Sequence, residues 1–335
     1  MRTVTAYAAH QAKGTLEQFE YELPALAPND IDIKVEHCGI CHTDLSLLDN
    51  EWGLTSYPFV GGHEAIGTVV DVGTAVSHVE PGDKVGLGGH SGYCMTCEQC
   101  LNGDHNLCRS LIATVPNHHG AFADLVRASG VSVVKLPEGL NYKKAGPLFC
   151  AGITVFNPFI EFDIKPTARV AVIGIGGLGH LALQFAKAWG CHVTAITTSK
   201  SKEREAESFG AHCVLDTNDP EALQSNEPFD VILSTIDVAL DWNLFLSALK
   251  PKGRLHFLGV QAIPAQLQLM PMMFAQLSIS SSIVGSPQRL ADMLDFCARH
   301  QIEPQTEHFP FSKINEAMAH LKSGAPRYRI VLDHN

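Results

Sequence analysis

"VAVIGIGGLGHLAL", Val170 to Leu183, is the stretch that decides the fold. An apolar run ends in Gly174, Gly176, Gly177 and Gly179, with Leu178 inside the turn, and apolar residues then recur at three- and four-residue spacing. A strand, a glycine-rich turn and a helix in that order form a phosphate-binding corner. The glycines allow a tight turn, close approach of the backbone to a pyrophosphate and close helix–strand packing, while the helix N-terminus favours negative charge. Glycines serving packing alone are the other reading.

Downstream, "HVTAIT", "FDVILST" and "GRLHFLG" read as further strands between helical stretches such as "LGHLALQFAKAW", the pattern of βαβ units on a parallel sheet. This rhythm begins at about Cys150 and fades near Ser286. The helices "PQRLADMLDFCARH" and "INEAMAHLKSG" and the strand "RYRIVLD" follow. Upstream of Cys150 the texture is all-β: "IDIKVEHCGIC", "AIGTVVDVG" and "DKVGLGG" are short β-rich runs broken by Gly, Pro and Asp. The expected class is α/β, a β-rich domain plus a doubly wound parallel sheet.

The end of the second strand bears on the cofactor. NAD-binding folds usually place Asp or Glu there for the ribose hydroxyls, whereas this chain reads "AITTSKSKER". Thr197, Thr198, Ser199 and Lys202 offer hydroxyl donors and a positive charge where an acidic group would repel a 2′-phosphate, which predicts NADP(H). A polar helix start with Ser199 as cap and Lys202 solvated is the alternative.

"SGYCMTCEQCLNGDHNLC" holds Cys94, Cys97, Cys100 and Cys108, with two, two and seven residues between them. Short C-x2-C spacings let one turn supply two thiolates, so the four suit a closed tetrahedral zinc site. Four protein ligands leave no position for substrate, so this zinc is structural. Four buried or redox-active cysteines are the other reading. Cys41, His63, Glu64 and Cys150 are scattered candidates for a second metal. By spacing alone each also has an ordinary reading, a core cysteine or a solvent-facing pair in a turn.

At 335 residues the chain accommodates two domains, and its formal charge of -11, without clustered Lys and Arg, argues against nucleic acid or anionic membrane as partners. No segment approaches the roughly 18 apolar residues of a membrane span and no signal peptide is recognisable, so a cytoplasmic location with reduced thiols is expected.

Together, "CGICHTDL", "GHEAIGTVVDVG", "PGDKVGLG", the four-cysteine lobe, "CAGITVF" and "GIGGLGH" resemble the zinc-dependent medium-chain alcohol dehydrogenases. The resemblance is to the branch of cinnamyl alcohol dehydrogenases and bacterial NADPH-dependent aldehyde reductases, over essentially the whole chain. It implies a GroES-like catalytic domain over 1–151 with the zinc lobe at about 91–108, a Rossmann domain over 152–285, and a C-terminal return over 286–335. It implies two zinc ions per chain, with Cys41, His63 and Cys150 on the catalytic one, Glu64 able to approach it, and Asp44 orienting the ligand His63. Thr43 matches a hydroxyl that passes the alcohol proton onward, and Ser46 stands where relatives often end that relay with His.

Thr154, Val260 and Ser282 match cofactor contacts. Arg329 matches an arginine near the cofactor phosphates, with an exposed strand arginine as the other reading. Trp52, Leu54 and Ile283 match pocket-lining positions, and Ala113 falls where plant cinnamyl enzymes often carry a large aromatic; a core tryptophan is the other reading of Trp52. The implied activity is interconversion of aliphatic or aromatic aldehydes and primary alcohols with NADP(H), in a homodimer. The competing activities are an NAD-linked alcohol or polyol dehydrogenase, which should carry an acidic residue at 197, and a catalytically silent zinc- and dinucleotide-binding protein, which should have lost a ligand.

Overall fold

The computed structural model describes every residue except Ser199, Gln261, Ala262 and Asn335. The chain divides into two compact units, Thr154–Ile283 on the one hand and Met1–Ile153 with Val284–Asn335 on the other.

In the unit Thr154–Ile283, six strands pair in parallel in the order Cys213–Asp216, His192–Thr197, Arg169–Ile173, Phe229–Ser234, Leu249–Phe257 and Ser278–Ser281. Val170 to Ile173 are all buried, as a strand covered on both faces requires. The first strand in sequence lies inside the sheet, and the chain winds outward from it in both directions. The winding reverses between Arg169–Ile173 and Phe229–Ser234, and at such a point the carboxyl ends of the strands leave a crevice for ligand. Trp242, Phe245, Phe229 and Leu255 lie in the core of this unit.

The glycine turn after Ile173 is held by geometry that only glycine permits. Gly174 has φ +85°, and a Cβ on Gly179 would lie 1.9 Å from the Gly174 carbonyl oxygen. The Thr235 hydroxyl, at the end of the neighbouring strand, lies 3.0 Å and 2.8 Å from the carbonyl oxygens of Ile173 and Gly174. Helix Gly179–Trp189 follows and ends on Gly190 in the left-handed conformation.

The other unit is built on a seven-stranded sheet whose longest member, Asp30–Ile40, pairs antiparallel with Ala65–Val72, Leu125–Ser129 and Arg329–Asp333. Lys84–Leu87 and Val133–Lys135 extend one side, and Thr306–Pro310 extends the other, parallel to Arg329–Asp333. The C-terminal segment thus completes a sheet begun by the N-terminal one. A hairpin of Arg2–Ala8 and Glu17–Leu23, not singled out in the sequence, packs on the same core. Asp32 is buried beneath the sheet, where Arg127 Nε and Nη2 donate to its two oxygens at 2.7 and 3.0 Å.

The all-β expectation for this region needs one correction: helices His42–Leu48 and Glu98–Leu101 interrupt it. The first forms because Asp44 accepts from the backbone N–H of Cys41 at the helix start, and Leu45, Leu47 and Leu48 are buried.

Replacing Gly179 with Ala forces the turn open against a carbonyl that cannot rotate away. Overpacking of this kind costs about 1–3 kcal/mol. A lowered unfolding midpoint by calorimetry is expected; a midpoint equal to that of the unsubstituted chain contradicts the packing role.

Candidate active site and metal centres

Strand pairing assembles the first site. Cys41 directly follows Asp30–Ile40, and His63 and Glu64 directly precede Ala65–Val72, with Cys38 opposite Ala65 in the ladder. Cys150 arrives just before helix Ala151–Glu161. The candidate ligand atoms of Cys41, His63, Glu64 and Cys150 all lie within 4.8 Å of one another, and the two sulfurs are 3.8 Å apart.

Asp44 fixes this group. Its Oδ1 accepts from the Gly62 N–H at 2.9 Å and lies 3.0 Å from His63 Nδ1, while Oδ2 takes the Cys41 N–H at 3.0 Å. A carboxylate beside Nδ1 puts the proton of a neutral imidazole there, so His63 Nε2, buried and without a hydrogen-bond partner, is the nitrogen left to face a ligand. Glu64 Oε1 is bound by Arg329 Nη2, and Oε2 likewise has no partner. Gly39 makes room for that carboxylate, since a Cβ there would lie 1.9 Å from Glu64 Oε2.

The electrostatics suit a cation. The hydrogen bond between the two thiols holds Cys41 well below the usual thiol range and pushes Cys150 up. Burial pulls His63 down, but the Asp44 carboxylate and the Cys41 sulfur together outweigh it and raise the imidazole well above its ordinary value, so the pocket attracts positive charge at this ring. Burial raises Glu64. Unpartnered buried acceptors are costly, and one metal ion can satisfy several of them together. Ligands at zinc's bond lengths of about 2.0–2.3 Å in a tetrahedron stand about 3.3–3.8 Å apart, which matches the sulfur spacing. Thr43 Oγ1 lies 3.7 Å from Cys41 Sγ.

The second group is the lobe of Cys94, Cys97, Cys100 and Cys108, whose sulfurs also lie within 4.8 Å of one another. Cys94 Sγ is 3.5 Å from Cys108 Sγ and 4.0 Å from Cys100 Sγ, distances that fit a shared tetrahedral ion and exceed the roughly 2.05 Å of a disulfide. Backbone N–H groups of Thr96 and Cys97 bring the Cys94 thiol down to about 6, while burial pushes Cys100 up to about 12. All ten cysteines of the chain are free.

In the parallel-sheet unit, a cavity of about 360 Å³ opens where the winding reverses. Gly174, Gly176, Gly177, Leu178, Thr197, Thr198 and Lys202 line it, joined by Thr217, Thr235 and Asp237. A Cβ on Gly176 would meet nothing within 4 Å, so the backbone there is open to an approaching group. Lys202 is not simply solvated: its Nζ donates to the Ile175 carbonyl at 2.8 Å, inside the glycine turn. Thr197 ends its strand buried, Thr198 is exposed, and Ser199 lies outside the described residues.

The alternative reading of Arg329 does not hold. Arg329 is not an exposed strand arginine: it is 5% exposed and holds Glu64 and the Ile40 carbonyl, because a buried carboxylate needs a countercharge. Ser46 is buried on helix His42–Leu48. Thr154 is buried in helix Ala151–Glu161, Val260 is exposed, and Ser282 follows the last parallel strand. Trp52 and Leu54 are exposed in the loop after His42–Leu48, so Trp52 is not a core residue; Ala113 sits in strand Ile112–Ala113, and Ile283 is exposed. The sequence reading missed Thr235, whose hydroxyl latches the glycine turn, and Gly39. Neither carries a spacing signal, since both act through residues distant in the chain.

Comparison with known proteins fits this geometry. The family model of the alcohol dehydrogenase GroES-like domain matches residues 27–138, and that of the zinc-binding dehydrogenases matches residues 177–299. The chain is 56% identical to the aldehyde reductase AdhA of Synechocystis sp. over 99% of both chains. Among solved structures, a cinnamyl alcohol dehydrogenase of Sorghum bicolor superposes with a TM-score of 0.94 at 35% identity, covering 99% of this chain and 98% of the other. A cinnamyl alcohol dehydrogenase of Helicobacter pylori, complexed with NADP(H), gives 0.91 at 26% identity over 99% and 98%. With both family models matched in order and such identity over its whole length, the chain belongs to the zinc-binding alcohol dehydrogenase family.

Proposed function

We propose that this alcohol dehydrogenase acts mainly as an aldehyde reductase, interconverting aliphatic or aromatic aldehydes and primary alcohols by hydride transfer with NADP(H). The observation that carries the reading is the convergence of Cys41, His63 and Cys150 around a partnerless imidazole nitrogen. The relatives point the same way: one is named an aldehyde reductase, and another is complexed with NADP(H).

Cys41, His63 and Cys150 would hold a catalytic zinc with Glu64 in reach, and Cys94, Cys97, Cys100 and Cys108 a structural one. When bound, the catalytic zinc supplies a Lewis acid toward the carbonyl oxygen, and NADPH supplies the hydride. The chain's own residues do the rest. Asp44 keeps the His63 proton on Nδ1 and so aims Nε2 at the metal. The Thr43 hydroxyl, beside Cys41, passes a proton to the new alcohol oxygen. Buried Ser46 does not itself open to solvent, so the relay continues through another group.

Gly174 to Gly179 receive the pyrophosphate, and Thr197, Thr198 and Lys202 take the 2′-phosphate side without the repulsion of a carboxylate at 197. Thr154, Val260, Ser282 and Arg329 complete the cofactor contacts we assign. Trp52, Leu54, Ala113 and Ile283 are assigned to the substrate. We assign a homodimer, supported by the exposed apolar residues Leu269, Met270, Met273 and Phe274 next to the edge strand Ser278–Ser281. No helix of the described residues is long and apolar enough to cross a membrane, and ten free cysteines suit the cytoplasm we propose.

Steady-state assays across an aldehyde panel should show NADPH consumption with NADH much the poorer donor, and metal analysis should find two zinc ions per chain. Thr197→Asp should move the preference toward NADH; an unchanged ratio of kcat/KM for the two cofactors places the specificity elsewhere. Asp44→Asn should weaken zinc retention at the catalytic site by roughly 10–100-fold, read by chelator competition. Cys100→Ser should instead lower thermal stability and zinc content by one ion before it lowers turnover. An intact fold with turnover abolished would reverse the roles of the two sites.

A further inference from the structure

His256 is an imidazole in the interior of the parallel sheet, fully buried, in a strand whose neighbours Leu255 and Phe257 are apolar. Its ladder partners are Leu233 on one side and Ser280 on the other. Both ring nitrogens are engaged: Nδ1 lies 2.8 Å from Ser280 Oγ and Nε2 lies 3.1 Å from Ser282 Oγ. The Phe162 ring packs at 5.0 Å, and Arg254 lies over that same ring. Burial, with Arg254 nearby, lowers the imidazole to about 4, so at neutral pH one nitrogen donates and the other accepts.

An aliphatic residue would serve the core better, because a buried imidazole is tolerated only when both nitrogens are matched. Here the match is made by two hydroxyls from one segment. Ser280 lies in the edge strand, and Ser282 stands one residue beyond its carboxyl end, at the rim where sheets of this winding receive ligands.

We propose that His256 is a positioning residue: it fixes the Ser282 hydroxyl at the carboxyl rim of the sheet so that it meets the bound dinucleotide already oriented. The inference rests on the assignment of Ser282 to the cofactor made above. A neutral imidazole holding Ser280 on one side and Ser282 on the other leaves the Ser282 hydroxyl a single rotor setting. Ordering that hydroxyl before the ligand arrives removes part of the entropic cost of binding.

The test uses the zinc-loaded full chain and measures the NADPH dissociation constant by titration calorimetry, with kcat and KM alongside. His256→Leu should weaken NADPH binding about five- to tenfold, as expected for one lost hydrogen bond, with kcat changed less than about twofold. His256→Gln, whose amide reaches the position of Nε2, should restore most of the affinity. His256→Asn, which reaches only the Nδ1 position, should not. Ser282→Ala should show the same loss, with His256→Leu adding nothing on top of it. Normal NADPH binding by His256→Leu overturns the proposal, and so do equal affinities of the Gln and Asn variants, which remain decisive where the Leu variant does not fold. Normal binding by Ser282→Ala also overturns it, but through the assignment of Ser282; a weakened Ser282→Ala beside an unaffected His256→Leu isolates the failure to His256.

Discussion

The Asp44 carboxylate is the point on which the first unit turns. Fully buried, it takes the N–H of Cys41, the N–H of Gly62 and the Nδ1 side of His63. One side chain therefore starts helix His42–Leu48, pins the loop before Ala65–Val72 and sets the tautomer of a candidate metal ligand. A buried charge is stable only when its lone pairs are met, so each of these partners depends on the others being in place. Stability and chemistry are served by the same three hydrogen bonds.

A second buried pair joins the ends of the chain. Glu64, next to His63, is held by Arg329 from the final strand, which lies antiparallel to Asp30–Ile40 with Ile330 opposite Ile40. Positive charge beside Glu64 also favours the thiolate at Cys41. Removing the C-terminal strand would leave an uncompensated buried carboxylate beside the ligand group as well as an open sheet edge. The return of the chain after residue 283 is thus part of the site as well as of the sheet.

How much of this was legible in the sequence depended on distance along the chain. The glycine corner lies within one short segment, and so does the cysteine lobe; local spacing was enough for both, because a tight turn or a knuckle is a local solution. Cys41, His63 and Cys150 are brought together by strand pairing, and only the family resemblance, not the spacing, joined them. The buried pairing of Arg329 was missed for the same reason: its partner lies 265 residues away. Gly39 and Thr235 left no signal, since one acts by what it lacks and the other through carbonyls on a neighbouring strand.

The same distinction separates the two candidate metal sites physically. In the cysteine lobe, the neighbouring backbone supplies the polarisation: N–H groups of Thr96 and Cys97 point at Cys94, and the four sulfurs gather within one short segment. At Cys41, His63 and Cys150 the ligands come from separate elements and need Asp44, Gly39 and Arg329 to hold them. A site held by three side chains, as proposed for Cys41, His63 and Cys150, would have no fourth protein ligand to enforce its geometry. That role would pass to the residues behind the ligands, in keeping with a proposed open site drawn from across the fold and a proposed closed one that fits inside fifteen residues.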